Sequence, residues 1–176
     1  MLDLVAPGAD LVASYRGLVE EVGSRGEKPV PFVLEYPADD AQALLARFQR
    51  DRAGVGLPPE FVPHSTFWLV RDGAEVVGVS NLRHRLTPVL LRHGGHIGYG
   101  IRPSARHGGC GREILRLTLR EAGKLKLTRV LVTCGKENVG SARIIAGNGG
   151  VLESEVFIAE RGEVVQRYWI DLGAAS

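Results

Sequence analysis

The sequence predicts an α/β fold in which a mixed, mostly antiparallel sheet is flanked by helices. Three observations carry that reading. The dipeptide Asp72-Gly73 separates two strand-like runs, Thr66–Arg71 and Ala74–Asn81, and the tight turn of a hairpin needs the positive φ that Asp-Gly supplies. From Gly111 to Leu125 a helical period places Ile114, Leu115, Thr118, Ala122 and Leu125 on one face, with Leu117 and Leu119 widening it. Strand-like and helical runs then alternate to the end of the chain, giving the order helix, helix, β-hairpin, strand, helix, strand, helix, β-hairpin.

The elements follow in order. Ala9 to Val22 reads as an amphipathic helix with Leu11, Tyr15, Leu18 and Val22 on one face. Residues 26–38 are punctuated by proline and extended around Phe32-Val33-Leu34. Asp39 or Asp40 caps a second helix, Ala41 to Arg52, which turns Leu44, Leu45 and Phe48 inward. Ala53 to Pro63 is a loop rich in Gly and Pro. After the Asp-Gly hairpin, Arg83 to His93 is a link of undetermined shape, and His96 to Ile101 is a strand interrupted by Gly98 and Gly100. Glycine inside a strand marks a bulge or the close approach of another backbone or a ligand. Arg129 to Cys134 is a short buried strand, Asn138 to Ala146 a shorter helix, and Val151–Ala159 with Glu163–Asp171 a closing hairpin around Arg161-Gly162. Phe67, Trp68 and Trp169 read as core rather than as an aromatic substrate box.

Composition narrows the function. With 176 residues, 44% hydrophobic and 24% charged, the chain is expected to form one globular domain over 1–176. A net charge of +2 and a pI of 8.7 are too mild for a nucleic-acid partner, and the arginines are scattered. No apolar run approaches the ~20 residues that span a bilayer. The opening Met-Leu-Asp-Leu-Val-Ala carries no secretory signal, so a cytoplasmic location is expected. Two cysteines, Cys110 and Cys134, make neither a disulfide framework nor a metal-ligand spacing. No metal is expected.

The chemistry concentrates in Ile101-Arg-Pro-Ser-Ala-Arg-His-Gly-Gly-Cys-Gly111. A chain that leaves a strand, passes Gly108, Gly109 and Gly111 and enters a helix presents free N–H groups at the positive end of the helix dipole. That suits a phosphate or pyrophosphate. Arg106 stands where its guanidinium could reach the same anion. Cys110, inside the loop, reads as a small filler more readily than as a reactive thiol. A P-loop is excluded because no Gly-Lys-Ser or Gly-Lys-Thr occurs. A dinucleotide loop fits poorly, since Ile114 stands at the third glycine and Val130 to Thr133 offers no acidic partner.

Arg106-His-Gly-Gly109-Cys-Gly111, preceded by Ile-x-Pro and followed by a long helix, resembles the acyl-CoA-binding motif [QR]-x-x-G-x-[GA] of the GNAT acetyltransferase superfamily. Asn138-Val-Gly-Ser141, following the strand Val130 to Thr133, is similar to that family's N-x-x-[AS] helix. Gly94 to Ser104 also looks like a bacterial subgroup of predicted acetyltransferases. The resemblance spans roughly Thr66 to Leu172.

The resemblance implies a GNAT-like sheet whose strands at Ile97–Ile101 and Val130 splay to hold acetyl-CoA. The core would be 64–172, with 1–63 as a helical, acceptor-side part. Backbone N–H groups near Gly100 and Ile101 would hold the pantetheine arm, and one near Tyr99 would polarise the thioester. Those of His107, Gly108, Gly109, Cys110, Gly111 and Arg112 would hold the pyrophosphate. Asn138 would bond the pantetheine or order the site, with Ser141 one helical turn on. The tyrosine that often protonates the leaving thiolate is missing, because Ile145 stands seven residues after the Asn.

For a general base His96 has the suitable unperturbed pKa, with His93 and Tyr99 on the opposite strand face. Arg83 is the candidate for a substrate carboxylate, beside His93 on the acceptor side. Glu35 and Glu60 could also line the acceptor cleft. The expected reaction is direct attack of a small-molecule or peptide amine on acetyl-CoA in a ternary complex. The contrasting expectation is a non-catalytic acyl-CoA sensor. The closing hairpin could pair with a second copy to give a homodimer.

Overall fold

The structure, a computed structural model, describes residues 1–173. Its elements are β1 (Leu2–Val5), α1 (Val12–Ser24), α2 (Ala41–Ala53), β2 (His64–Arg71), β3 (Glu75–Arg83), α3 (Pro88–Arg92), β4 (Ile97–Ile101), α4 (Cys110–Lys124), β5 (Arg129–Gly135), α5 (Val139–Ala146), β6 (Val151–Ile158) and β7 (Glu163–Asp171). Two antiparallel sheets result, ordered β1-β2-β3-β4 and β5-β7-β6. The α/β class holds, with the strands divided between two sheets.

Local chemistry sets the elements. Asp72 and Gly73 take φ of 50° and 71°, so the β2–β3 turn has positive φ at both central residues, as the hairpin twist requires. Asp40, rather than Asp39, caps α2 by accepting from the Ala43 N–H at 3.0 Å, and Gly54 ends the helix in the left-handed region.

The first sheet has two packed faces. One takes α1 and α2, with Tyr15 stacked on Trp68 at 4.7 Å and Phe48 against both. The other takes α4, whose Ile114, Leu115, Leu119 and Ala122 are buried. Thr118 in that face bonds Ser80 at 2.8 Å and so ties α4 to β3.

Three elements differ from the sequence reading. β1 adds an edge strand against β2; four residues are too few to show a period. The link after β3 contains α3, started by Thr87, whose side chain accepts from the Leu90 N–H, with Pro88 at the first helical position. Phe32–Glu35 forms a short 3-10 turn instead of an extended run.

Gly98 and Gly100 have their explanation in that same region. The chain at Val30-Pro31 lies against this face of β4, and a Cβ at Gly100 would come 1.9 Å from the Val30 carbonyl oxygen. The glycines admit another backbone.

Candidate active site

The two sheets meet at the start of β4 and then part. His96 N donates to Leu131 O at 2.7 Å, and Leu131 N donates back to His96 Nδ1 at 2.9 Å. Beyond this point β4 and β5 pair with each other no further among the described residues. The gap continues into a cavity of about 820 Å³ whose walls are the free side of β4, the start of α4, the start of α5, and α1 with the segment after it.

At one end of the cavity lies the glycine loop. Gly109 is the residue before α4, in the left-handed region at φ 81°, and contributes no side chain to cap the helix. The first N–H groups of a helix have no partner inside it. Here they stay available beside the cavity, at the positive end of the dipole. Arg112 and Lys28 also line the cavity, adding positive charge that favours an anion.

Arg106 is placed differently from the expectation. Both its Nη atoms bond the Glu27 carboxylate, at 2.9 and 2.5 Å, and its Nε donates to Ile101 O. This pair holds the Glu27 carboxyl below its ordinary range. Arg106 therefore ties the loop to the segment after α1 instead of standing free for a ligand anion. Cys110 is buried beneath the loop, as a filler.

The cavity also has hydroxyl-bearing residues in its lining. Tyr99 OH and Ser141 Oγ, from β4 and α5, lie 2.9 Å apart and both line it. Burial pushes the Tyr99 phenol up to about 12. Asn138 accepts from the Ser141 N–H at 3.0 Å, which makes it the cap of α5. Cys134 sits beside Ser141 with its thiol pushed up by burial. Ile145 is fully buried in the core.

Of the sequence candidates, Tyr99, Gly100, Ile101, Arg106, His107, Gly109, Gly111, Arg112, Asn138 and Ser141 converge on this cavity, whereas Gly108, Cys110, His93, His96 and Arg83 are not among its lining residues. His96 is the chief correction. It is 6% exposed, its Nδ1 is taken by Leu131, and burial with the charge of Arg83 pushes its pKa down to about 4. Such an imidazole is too weakly basic to hold an ammonium proton near neutrality.

Arg83 directs Nη1 onto the carbonyls of Gly94 and Gly95 and sits 5.5 Å over the Phe32 ring. It braces the turn before β4. His93 ends α3, with its N–H on Val89 O. Glu35 and Glu60 are exposed.

Sequence reasoning missed the opposite wall. Leu18, Val22, Glu27, Val30 and Leu34 face the cavity from the N-terminal third. Their helical spacing marks Leu18 and Val22 as apolar, and no local signal distinguishes a cavity wall from a core. Among the described residues no group of three or more His, Cys, Asp or Glu is arranged to hold a metal.

A family model described as "Acetyltransferase (GNAT) domain" matches residues 18–151. The chain belongs to the GNAT acetyltransferase family. No curated protein matches it significantly. Among solved structures, the chain is similar to a Salmonella typhimurium acetyltransferase that modifies the N-terminal serine of a 50S ribosomal subunit protein (16% identity, TM-score 0.70, 97% of this chain and 95% of that one). It is similar to Mycobacterium smegmatis RimJ in complex with CoA-disulfide (15%, 0.72, 97% and 82%). It is also similar to a variant of the Vibrio cholerae spermidine N-acetyltransferase (18%, 0.66, 97% and 93%).

These likenesses establish a GNAT fold over nearly the whole described chain. As a GNAT member the protein is an acyl-CoA-dependent N-acetyltransferase. The family match begins inside α1, so the GNAT unit includes much of the N-terminal third that the sequence resemblance left out.

Proposed function

We propose that the protein transfers an acetyl group from acetyl-CoA to a primary amine of a small molecule or peptide, by direct attack in a ternary complex. One observation carries the donor assignment. The uncapped start of α4 opens onto a cavity of about 820 Å³ whose other wall is the unpaired side of β4. An anion at the helix start and an extended arm along a free strand side are what a long phosphate-bearing thioester requires.

In this reading the amides of 107–112 hold the pyrophosphate, with Arg112 adding charge at the cavity wall. The backbone at Tyr99, Gly100 and Ile101 holds the pantetheine arm and polarises the thioester carbonyl. Asn138 fixes the start of α5, and so the position of Ser141.

Direct attack is favoured over a covalent enzyme intermediate. Cys134 is buried with its thiol pushed up, the opposite of an activated nucleophile. The Ser65–His84 pair, 2.9 Å apart, is not among the residues lining the cavity. Catalysis then rests on holding the amine and thioester together and on polarising the carbonyl. Among the relatives, acceptors include spermidine and a protein N-terminal serine, so both chemistries belong in the acceptor screen.

Calorimetry with acetyl-CoA on the wild type and on Arg112→Glu tests the donor site. Arg112 is exposed, so the charge reversal leaves the fold intact. Affinity should fall at least tenfold. Release of CoA thiol in the presence of an amine panel then separates an enzyme from a sensor, which would bind without turnover. A wild type that binds no acetyl-CoA overturns the proposal.

A further inference from the structure

The family tyrosine on α5 is replaced here by Ile145, whose side chain is buried in the core and offers no proton. The cavity supplies a different arrangement. We propose that Tyr99 is a positioning residue: its phenol donates to Ser141 Oγ and so aims the Ser141 hydroxyl at the departing sulfur, which leaves as a hydrogen-bonded thiolate without a general acid. The inference rests on the acetyl-transfer reading above.

The geometry gives each group one role. Tyr99 reaches from β4 and Ser141 from α5, and their oxygens are 2.9 Å apart on the cavity wall. A phenol is far more acidic than an alkanol, so the phenol is the better donor and the serine the better acceptor. A serine that accepts from Tyr99 keeps its own single proton for a second acceptor, and the Cys134 thiol beside it is only a weak one. Its backbone is fixed, because Asn138 accepts from the Ser141 N–H. The neighbouring Cys134 thiol is kept protonated by burial, so no negative charge competes at that spot.

Magnitudes decide between giving a proton and only orienting one. A leaving thiolate of ordinary basicity, near ~8.5, is a far weaker base than tyrosinate or alkoxide. The Tyr99 phenol titrates at about 12. Transfer from phenol to thiolate is therefore uphill by roughly 3.5 pH units, whereas a hydrogen bond to a charged sulfur is favourable as it stands.

The step balances as follows. The amine nitrogen forms the C–N bond, and the C–S bond breaks with its electron pair on sulfur. The surplus proton on nitrogen passes to solvent. The thiolate takes a proton from water once it has left the cavity.

The test uses CoA itself and needs no acceptor. The thiol of bound CoA is titrated through thiolate ultraviolet absorbance, as a difference against the free protein, for wild type, Tyr99→Phe, Ser141→Ala and the double variant. In the wild type it should titrate roughly one to two units lower than in either single variant, as expected for one hydrogen bond to a charged group. The double variant should shift no further, because the two hydroxyls act as one unit. CoA affinity at neutral pH should stay within about threefold. Equal titration in all four proteins overturns the inference while leaving the donor site intact. A wild type that binds no CoA overturns the donor reading as well.

Discussion

His96 offers its Nδ1 to the Leu131 N–H, 2.9 Å away, at the point where β4 and β5 part. A continuing ladder would have satisfied that amide with a backbone carbonyl. Here an imidazole does so, and the strands are free to diverge beyond it. The fork that shapes the cavity thus depends on a side chain at its apex.

Removing that acceptor should be costly. His96→Ala leaves the Leu131 N–H buried and unpaired, and about 1–3 kcal/mol of stability should be lost in urea unfolding. Asn at 96 can present Oδ1 close to where Nδ1 sits, so His96→Asn should recover much of that loss.

The same residue predicts acid sensitivity. His96 titrates at about 4 when folded, against 6.5 for the unperturbed side chain, because burial and then the Arg83 charge disfavour its cation. Between those values the unfolded chain binds more protons than the folded one, so stability falls as pH drops from 6.5 towards 4 and levels off below. Buried His64 is shifted in the same direction, mainly by desolvation. Unfolding midpoints should decline across that window, less steeply in His96→Asn. Midpoints flat with pH would contradict the buried neutral state.

Gly100 gives a contrast in tolerance. A Cβ there would lie 1.9 Å from Val30 O, whereas at Gly108 the nearest atom is Ala105 O at 3.8 Å. Gly100→Ala must displace the segment that forms the opposite wall. It should cost more than about 2 kcal/mol, as overpacking against backbone does. Acetyl-CoA binding should weaken with it. Gly108→Ala should change unfolding by less than about 0.5 kcal/mol.

These two residues also show what the sequence discloses. Interrupting a strand with Gly98 and Gly100 signalled close approach, yet the partner, Val30-Pro31, is about seventy positions away in the chain and no local pattern names it. Where the determinant is local it was readable: the Asp72-Gly73 turn, the period of α4 and the glycine-rich start of that helix. Where it is tertiary it was not. In the sequence alone Arg106 stands free for an anion, because Glu27, 79 residues earlier, cannot be paired with it by spacing. In the sequence alone His96 has the properties of a base, because burial and the Leu131 amide are invisible in one dimension. The Tyr99–Ser141 contact likewise exists only because β4 and α5 are brought together.

The Arg106–Glu27 pair separates loop anchoring from ligand charge. Both side chains are about one third exposed, 37% and 34%, so the pair contributes at most about 1 kcal/mol. If helix-start amides hold the pyrophosphate, Arg106→Gln should weaken acetyl-CoA binding only a few-fold, much less than Arg112→Glu. Calorimetry on both variants compares them directly, and a larger loss at 106 would mean that Arg106 exchanges Glu27 for the ligand.

Asn138 should act on turnover through Ser141. Its Oδ1 caps α5, a helix of only eight residues, by accepting the Ser141 N–H at 3.0 Å. Losing an N-cap costs about 1 kcal/mol, and in so short a helix the loss falls on the first turn, which carries Ser141. Asn138→Ala should therefore lower kcat about tenfold or more while moving KM for acetyl-CoA less, as the Ser141 hydroxyl drifts from Tyr99. Asn138→Asp and Asn138→Ser keep a capping oxygen and should retain most of the rate. Equal loss in all three variants would assign Asn138 a contact that only its amide can make, with the acyl donor itself rather than with the helix.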